Sequence, residues 1–197
     1  MRMAPSTLRS TQKNEQIDVY MEDTRRLFLF GEINDGLAKD ICAKLSYLSA
    51  KSAKPIWLFI SSPGGHVESG DAVHDMISFI SAPVIVIGTG WVGSAAAHIY
   101  LSAPFERRLC LPNTRFLIHQ PSGGASGHAI DFEIQAKQIL LVRKRIANVI
   151  AKQTGQPLVK VLTDIERDFW MSAEESLDYG LVSKIINNEG QLSSFAI

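Results

Sequence analysis

Two runs of the chain, Pro55-Ile56-Trp57-Leu58-Phe59-Ile60 and Val84-Ile85-Val86-Ile87, are apolar at every position. A strand that shows one face to water alternates apolar with polar residues. A run without polar positions belongs to a sheet covered on both faces. The flanking segments supply covering helices. The first run passes through Ser61-Ser62-Pro63-Gly64-Gly65 into a helical stretch from about Ser69 to Ile80. The second, opened by Pro83, ends in glycines and leads into an alanine-rich stretch that starts at Ser94. Upstream, Leu27 to Phe30 reads as a short strand closed by Gly31. Asp35 to Ser49 then carries Leu37, Ile41, Leu45 and Leu48 at spacings of three and four, the period of an amphipathic helix. Strand and helix in regular succession predict βαβ units and an α/β fold.

Downstream, Leu109-Cys110-Leu111 and Phe116-Leu117-Ile118-His119 read as two strands around a turn at Pro112-Asn113. The glycine-rich stretch Ser122 to Gly127 precedes the longest helical run, from about Ala129 to Gln153, with no proline or glycine inside. At ~1.5 Å per residue this rod is nearly 40 Å long, about the full width of a domain of this size. It is expected to project, and Ile130, Ile134, Leu141 and Val142 then need a partner chain to cover them. Gly155 ends the rod. Ser172-Ala173-Glu174-Glu175 fits a capping box for a last short helix closed by Gly180. Residues 1–16 read as a flexible N-terminal arm and 17–197 as one domain, with no repeat or dividing linker.

Twenty basic and twenty acidic side chains cancel, so no global field favours nucleic acid or an anionic membrane. No apolar run approaches the ~20 residues that span a bilayer. The start of the chain lacks the apolar core of a secretory signal. Cys42 and Cys110 are too few and too isolated for a disulfide framework or a zinc site. A cytoplasmic, reduced protein without metal or organic cofactor is expected.

Ser94 sits between Gly93 and three alanines, a hydroxyl among neighbours with almost no side chain. One reading makes it the N-cap of the helix it begins, and an isolated Gly-x-Ser is more often that. The other makes it a nucleophile at the end of a parallel strand, where α/β sheets build their sites, with room for a carbonyl to approach. Of five histidines, His98 lies one turn along the same helix and points away from the hydroxyl. His66, His74 and His128 fall beside or on helices with mixed faces and are expected to be exposed. His119 ends an apolar strand just before Gln120-Pro121 stop it, from where it can lean into a site. Asp164 and Asp168 are both candidates for a third group, and the spacing does not separate them. Gly64-Gly65 offers a backbone N–H to an oxyanion, although Gly-Gly at a strand end is also ordinary turn chemistry.

Taken together, "FISSPGG" (59–65), "LPNTRFLIHQPSGGASGHAIDFEI" (111–134), "TGQP" (154–157) and "RDFWMSAEESLDYGLV" (167–182) resemble the proteolytic subunit of the Clp protease, from about Asp18 to Ile186. The resemblance implies a crotonase-like α/β spiral of ββα units with a protruding handle at about 122–153. It implies a serine endopeptidase with Ser94 as nucleophile, His119 as base and Asp168 as orienting carboxylate, with the N–H groups of Gly65 and Ala95 as oxyanion donors. Asp164 falls at a non-catalytic position. By the same matching, Arg167 couples contacts between rings to the triad. Trp57, Phe59, Leu109, Leu111 and Ile186 fall in the family's outer docking pockets. The implied assembly is a homo-oligomer of two stacked heptameric rings, a tetradecamer. An AAA+ unfoldase such as ClpX, ClpA or ClpC feeds it unfolded polypeptide.

Three departures bear on that resemblance. The family's Ala-Ser-Met-Gly is here Gly93-Ser94-Ala95-Ala96, the stretch after Tyr20 is short and the preceding arm lacks the axial-loop pattern, and Thr89 replaces a larger apolar docking residue. These suit a secondary paralogue. The alternative reading is therefore a weakly active structural subunit in a mixed assembly with an active paralogue.

Overall fold

The computed structural model describes residues 16–124 and 126–195. Apart from Gln16, the expected arm over 1–16 lies outside the described residues. The chain runs α1 (16–24), β1 (Arg26–Phe30), α2 (Asp35–Lys51), β2 (Ile56–Ser62), α3 (Val67–Phe79), β3 (Val84–Gly93), α4 (Ala95–Tyr100), β4 (Arg108–Cys110), β5 (Arg115–Ile118), α5 (Ala129–Thr154), α6 (Leu158–Asp164), β6 (Phe169–Met171), α7 (Ala173–Tyr179) and β7 (Lys184–Ile185). A 3₁₀ segment, Glu189–Phe195, follows β7.

The expected α/β sheet forms, with β1, β2, β3, β4 and β7 side by side and parallel. β3 is the longest strand and has two successive partners on one side. Val86 to Gly88 pair with β4, and Trp91 to Gly93 pair with β5. Gly90, at φ +61°, lies in the bend between the two halves. The two strands read around Pro112-Asn113 are therefore not a hairpin: each pairs with β3 rather than with the other. β5 then pairs antiparallel with β6, which turns the sheet onto a second, smaller layer.

Helices cover one face of the main sheet. Ile56, Leu58 and Ile60 of β2 and Val84 and Val86 of β3 point into the main core with Ile41 and Leu45 of α2, Val73 and Ile77 of α3, and α4. Alternate residues leave the other way. Trp57, Phe59, Ile85 and Ile87 join a separate apolar cluster with Leu109, Ile186 and Leu192. Complete burial of both faces was expected from the apolar runs. β3 is buried throughout Val84 to Gly88, but β2 alternates buried with half-buried positions, because among the described residues its second face is covered by the short C-terminal 3₁₀ segment.

Local hydrogen bonds set the helix ends. Asn34 caps α2 by accepting from the Leu37 N–H at 2.9 Å, and Ser172 and Glu175 close a reciprocal capping box on α7. The Arg25 guanidinium donates to the carbonyls of Leu48, Ser52, Lys54 and Pro55, satisfying the C-terminal end of α2 with a cation where the helix dipole favours one. The Cys110 thiol is buried and burial pushes it up to about 12, so it is inert at neutral pH.

α5 spans 26 residues, or ~39 Å. Only its second half is anchored, through Ala147 and Ile150 in the core. Ile130, Ile134 and Leu141 are exposed as expected, while Val142 is half-buried. Gly155 ends α5 and Gly180 ends α7, both in the left-handed conformation. The two glycines differ in one respect. A Cβ on Gly155 meets nothing within 4 Å, whereas one on Gly180 falls 2.4 Å from the Thr154 carbonyl oxygen. Gly155→Ala is expected to cost about 1 kcal/mol, the left-handed penalty alone. Gly180→Ala should cost several times more, because α7 must move off the end of α5; urea unfolding of the two variants measures the difference.

Candidate active site

The last rung of β3 sets the site. Gly93 pairs with Leu117, and the Ser94 N–H extends the ladder by donating to the Leu117 carbonyl at 2.9 Å. Two residues on from Leu117, just past the end of β5, stands His119. β5 and β6 pair as Phe116 with Met171, Leu117 with Trp170 and Ile118 with Phe169. The next antiparallel rung therefore sets Asp168 opposite His119. His119 Nδ1 lies 2.8 Å from Asp168 Oδ1, and His119 Nε2 lies 2.8 Å from Ser94 Oγ. With Nδ1–H donating to the carboxylate, Nε2 carries the lone pair that accepts from the Ser94 hydroxyl. This is the proton-transfer geometry that a serine nucleophile needs.

The N-cap reading of Ser94 meets a contrary geometry. Its side chain makes no capping bond, and its backbone sits at φ +54° and ψ −121°. A β-substituted residue is strained in that region, and such strain persists only where surrounding structure holds it. The neighbouring loop does so. Gly64 is at φ +99°, and a Cβ there falls 2.6 Å from Ser94 Cβ and 2.9 Å from the Ala95 nitrogen. A Cβ on Gly93 falls 2.9 Å from the Pro63 carbonyl oxygen. The β2–α3 loop thus rests main chain to main chain against the Ser94 turn.

Gly65 is held at φ +146° beside Ile33, where a Cβ falls 2.3 Å from the Ile33 carbonyl oxygen. The bridge between Ile33 and Gly65 uses the Gly64 carbonyl and the His66 N–H, leaving the Gly65 N–H outside the ladder. Ala95 begins α4, so its N–H is one of the four that a helix start leaves unpaired. Both N–H groups border the Ser94 turn, an arrangement that suits a developing oxyanion.

The remaining candidates separate on contact. Asp164 Oδ2 accepts from Lys160 Nζ at 2.6 Å and from the Tyr179 hydroxyl at 2.7 Å, away from His119. His66 is exposed, with Nδ1 2.7 Å from the Ser69 hydroxyl, which donates to Asp35. His128 is exposed at the start of α5. His74 departs from expectation: it is half-buried and stacked on His98, ring centroids 4.3 Å apart. Arg167 is exposed and, among the described residues, without a partner. Trp57, Phe59 and Leu111 are half-buried, while Leu109 and Ile186 are buried in the second apolar cluster.

Gln120 has a part that sequence reasoning passed over. Its backbone N–H donates to the Ile165 carbonyl at 2.6 Å and its side chain to the Glu166 carbonyl at 2.8 Å. These bonds tie the segment leading to Asp168 to the residue after His119. The signal was the polar side chain in His119-Gln120-Pro121, where the strand stops.

Beside Ser94 and His119 lies a small apolar pocket of about 10 Å³, lined by Ala97, Leu101, Ile118, Ile146, Ile150 and the His98 ring. A cleft of about 250 Å³ runs from Gly65 and His66 past Pro121 and Gly123 to Gln138 and Ile139 of α5. Among the described residues no cluster of side chains is arranged to hold a metal ion, and no helix is long and apolar enough to cross a membrane.

The Clp protease family model matches residues 9–189 of this chain. The chain is 54% identical over 169 residues to ATP-dependent Clp protease proteolytic subunit 3 of Rhizobium etli, covering 86% of this chain and 87% of that one. It is 51% identical over 172 residues to proteolytic subunit 2 of Gluconobacter oxydans, covering 86% and 77% respectively. The solved structure of ClpP1 from Listeria monocytogenes is similar at a TM-score of 0.82 and 46% identity, covering 89% of this chain and 99% of that one.

His98 gives the site's surroundings a measurable pH dependence. Burial holds its pKa down to about 4, and His74 and Arg145 push the same way against the neighbouring Asp71, which raises it. Asp71 Oδ1 lies 3.0 Å from His98 Nε2, and Arg145 donates to Asp71 Oδ2 at 2.6 Å. The unfolded chain binds this proton near pH 6.5 and the folded chain only near 4, so stability falls as pH drops through that window. The His98 contribution to that loss is up to about 1.4 kcal/mol per pH unit. His98→Gln should flatten the slope of urea-derived stability between pH 6.5 and 4.

Proposed function

The chain belongs to the Clp protease family, and from that premise we propose that it is a serine endopeptidase subunit hydrolysing unfolded polypeptide. The observation that carries the proposal is the unbroken hydrogen-bonded series Ser94–His119–Asp168, two contacts of 2.8 Å within a single protomer. In this reading Ser94 Oγ attacks the scissile carbonyl while His119 Nε2 takes its proton. Asp168 fixes the tautomer and stabilises the imidazolium. The Gly65 and Ala95 N–H groups receive the oxyanion. His119 then protonates the leaving amine, and water regenerates Ser94 from the acyl-enzyme. The cleft between Gly65 and Ile139 accommodates extended peptide. The pocket beside Ser94 suits a small P1 side chain, since its volume is about that of one water.

The same reading assigns the chain to stacked heptameric rings served by an AAA+ unfoldase. Exposed Ile130, Ile134 and Leu141 on α5 are the apolar surface that an apposed ring would cover. Asp168 is 62% exposed in the single protomer. Water weakens its hold on His119 until neighbouring subunits shield it, and Arg167, unpartnered and adjacent, is the contact proposed to do so. A mixed assembly with a paralogue is the second reading, favoured by Ala95 and Ala96 beside the nucleophile.

A fluorophosphonate should add one adduct to the wild type and none to Ser94→Ala, as read by intact mass. Peptidase kcat of Ser94→Ala and of His119→Ala should each fall by at least about 10³-fold, with little further loss in the double variant. An adduct persisting in Ser94→Ala removes that residue from the role. Arg167→Ala should shift sedimentation toward single rings and lower activity in step with the lost double rings. A wild type with the triad intact that gains peptidase activity only when mixed with a paralogous ring supports the second reading.

A further inference from the structure

The second face of the main sheet is closed by the chain's own last described residues. Leu192 is buried, at 8% exposure, in one cluster with Ile85, Ile87, Leu109 and Ile186. Phe195 packs at its margin with Trp57, Phe59 and Leu111. On the opposite face whole helices do this work. Here one seven-residue 3₁₀ segment does it, and its attachment is slight. β7 ends at Ile185, so the segment adds no strand to the ladder. Its hydrogen bonds from Asn187 N–H to Gln191 Oε1, from Gln191 N–H to Asn188 O, and from Ser193 Oγ to Gly190 O are local. Among the described residues, the Glu189 carboxylate contacts Arg26 of β1, and Lys184 Nζ lies 5.4 Å from the Phe195 ring centroid. Glu189 is 70% exposed, and an ion pair that wet holds weakly.

We infer that Glu189–Phe195 is a displaceable intramolecular cover over a docking face, and that a partner must move it aside to bind. The cover's own chemistry defines what replaces it. Leu192 and Phe195 are three residues apart, one turn of 3₁₀ helix, and Glu189 reaches a basic side chain at the edge. The occupant is a short partner segment that presents an aliphatic and an aromatic side chain about a turn apart with an acidic group nearby. Because Leu109 and Ile186 lie beneath Leu192, this occupant and the tail exclude one another. The inference rests on reading this face as the unfoldase dock, and it adds that the dock is closed at rest in this chain.

The test uses the full-length double variant Leu192→Ser with Phe195→Ser, and separately Glu189→Gln, which loosens the tether without touching the apolar contacts. Fluorescence of 1-anilinonaphthalene-8-sulfonate should rise several-fold on the double variant and less on Glu189→Gln, with sedimentation and phosphonate labelling unchanged. ClpX should bind the double variant about tenfold more tightly than the wild type. Dye fluorescence at the wild-type level on both variants overturns the cover. So does a double variant that melts far below the wild type while Glu189→Gln changes nothing, since the tail is then part of the core. Equal ClpX affinity for wild type and an uncovered variant overturns the competition but leaves the unfoldase assignment standing. An uncovered variant that ClpX does not bind leaves the cover standing and removes the unfoldase assignment.

Discussion

The final rungs of β3 against β5 are the constraint on which the proposed active site depends. Once Gly93 pairs with Leu117 and the Ser94 N–H finds the Leu117 carbonyl, the hydroxyl lies within reach of His119. Once β5 pairs with β6, Asp168 is opposite that histidine. Three residues 25 and 49 positions apart are thus brought together by consecutive main-chain hydrogen bonds rather than by side-chain packing. A slip of one residue in such a ladder would turn every side chain to the other face, so holding the register holds the site. The bonds from Gln120 to Ile165 and Glu166 brace the same junction from the other side.

Much of the fold was legible because burial imposes periodicity. The spacing of Leu37, Ile41, Leu45 and Leu48 and the uninterrupted run after Ala129 gave their helices to within a few residues. The Ser172 capping box and the glycines at 155 and 180 marked ends correctly, since each is a local hydrogen-bond or dihedral requirement. Composition has no comparable hold on pairing. Nothing in Leu109 to His119 states that two adjacent strands will both pair with β3, because that depends on the bend near Gly90. The lighter cover of the second face was missed for a similar reason. Trp57, Phe59, Ile85 and Ile87 are as apolar as their neighbours, and only the tertiary arrangement shows that, among the described residues, a short 3₁₀ segment rather than an α-helix packs against them.

Within the site, residue type identified Ser94 and His119 as candidates but left Asp164 and Asp168 equal. The two aspartates lie on different elements: Asp164 ends α6 and faces Lys160 and Tyr179, and Asp168 stands just before β6, across from His119. The resemblance to the Clp protease proteolytic subunit implied Asp168 rather than Asp164, and Asp168 is the aspartate 2.8 Å from His119 Nδ1. For α5 the residues alone were enough. Its length alone implied a projecting rod, and its exposed Ile130, Ile134 and Leu141 follow from a helix that outreaches the core it is rooted in.

At the contact between the Gly64 loop and the Ser94 turn, a Cβ on Gly64 or Gly93 enters space that main-chain atoms already fill. In the Clp family's Ala-Ser-Met-Gly an alanine stands where this chain has Gly93, so the glycine lets the Pro63 carbonyl come closer than that methyl group would allow. One missing carbon thereby sets how deeply the loop seats against the turn that carries the hydroxyl.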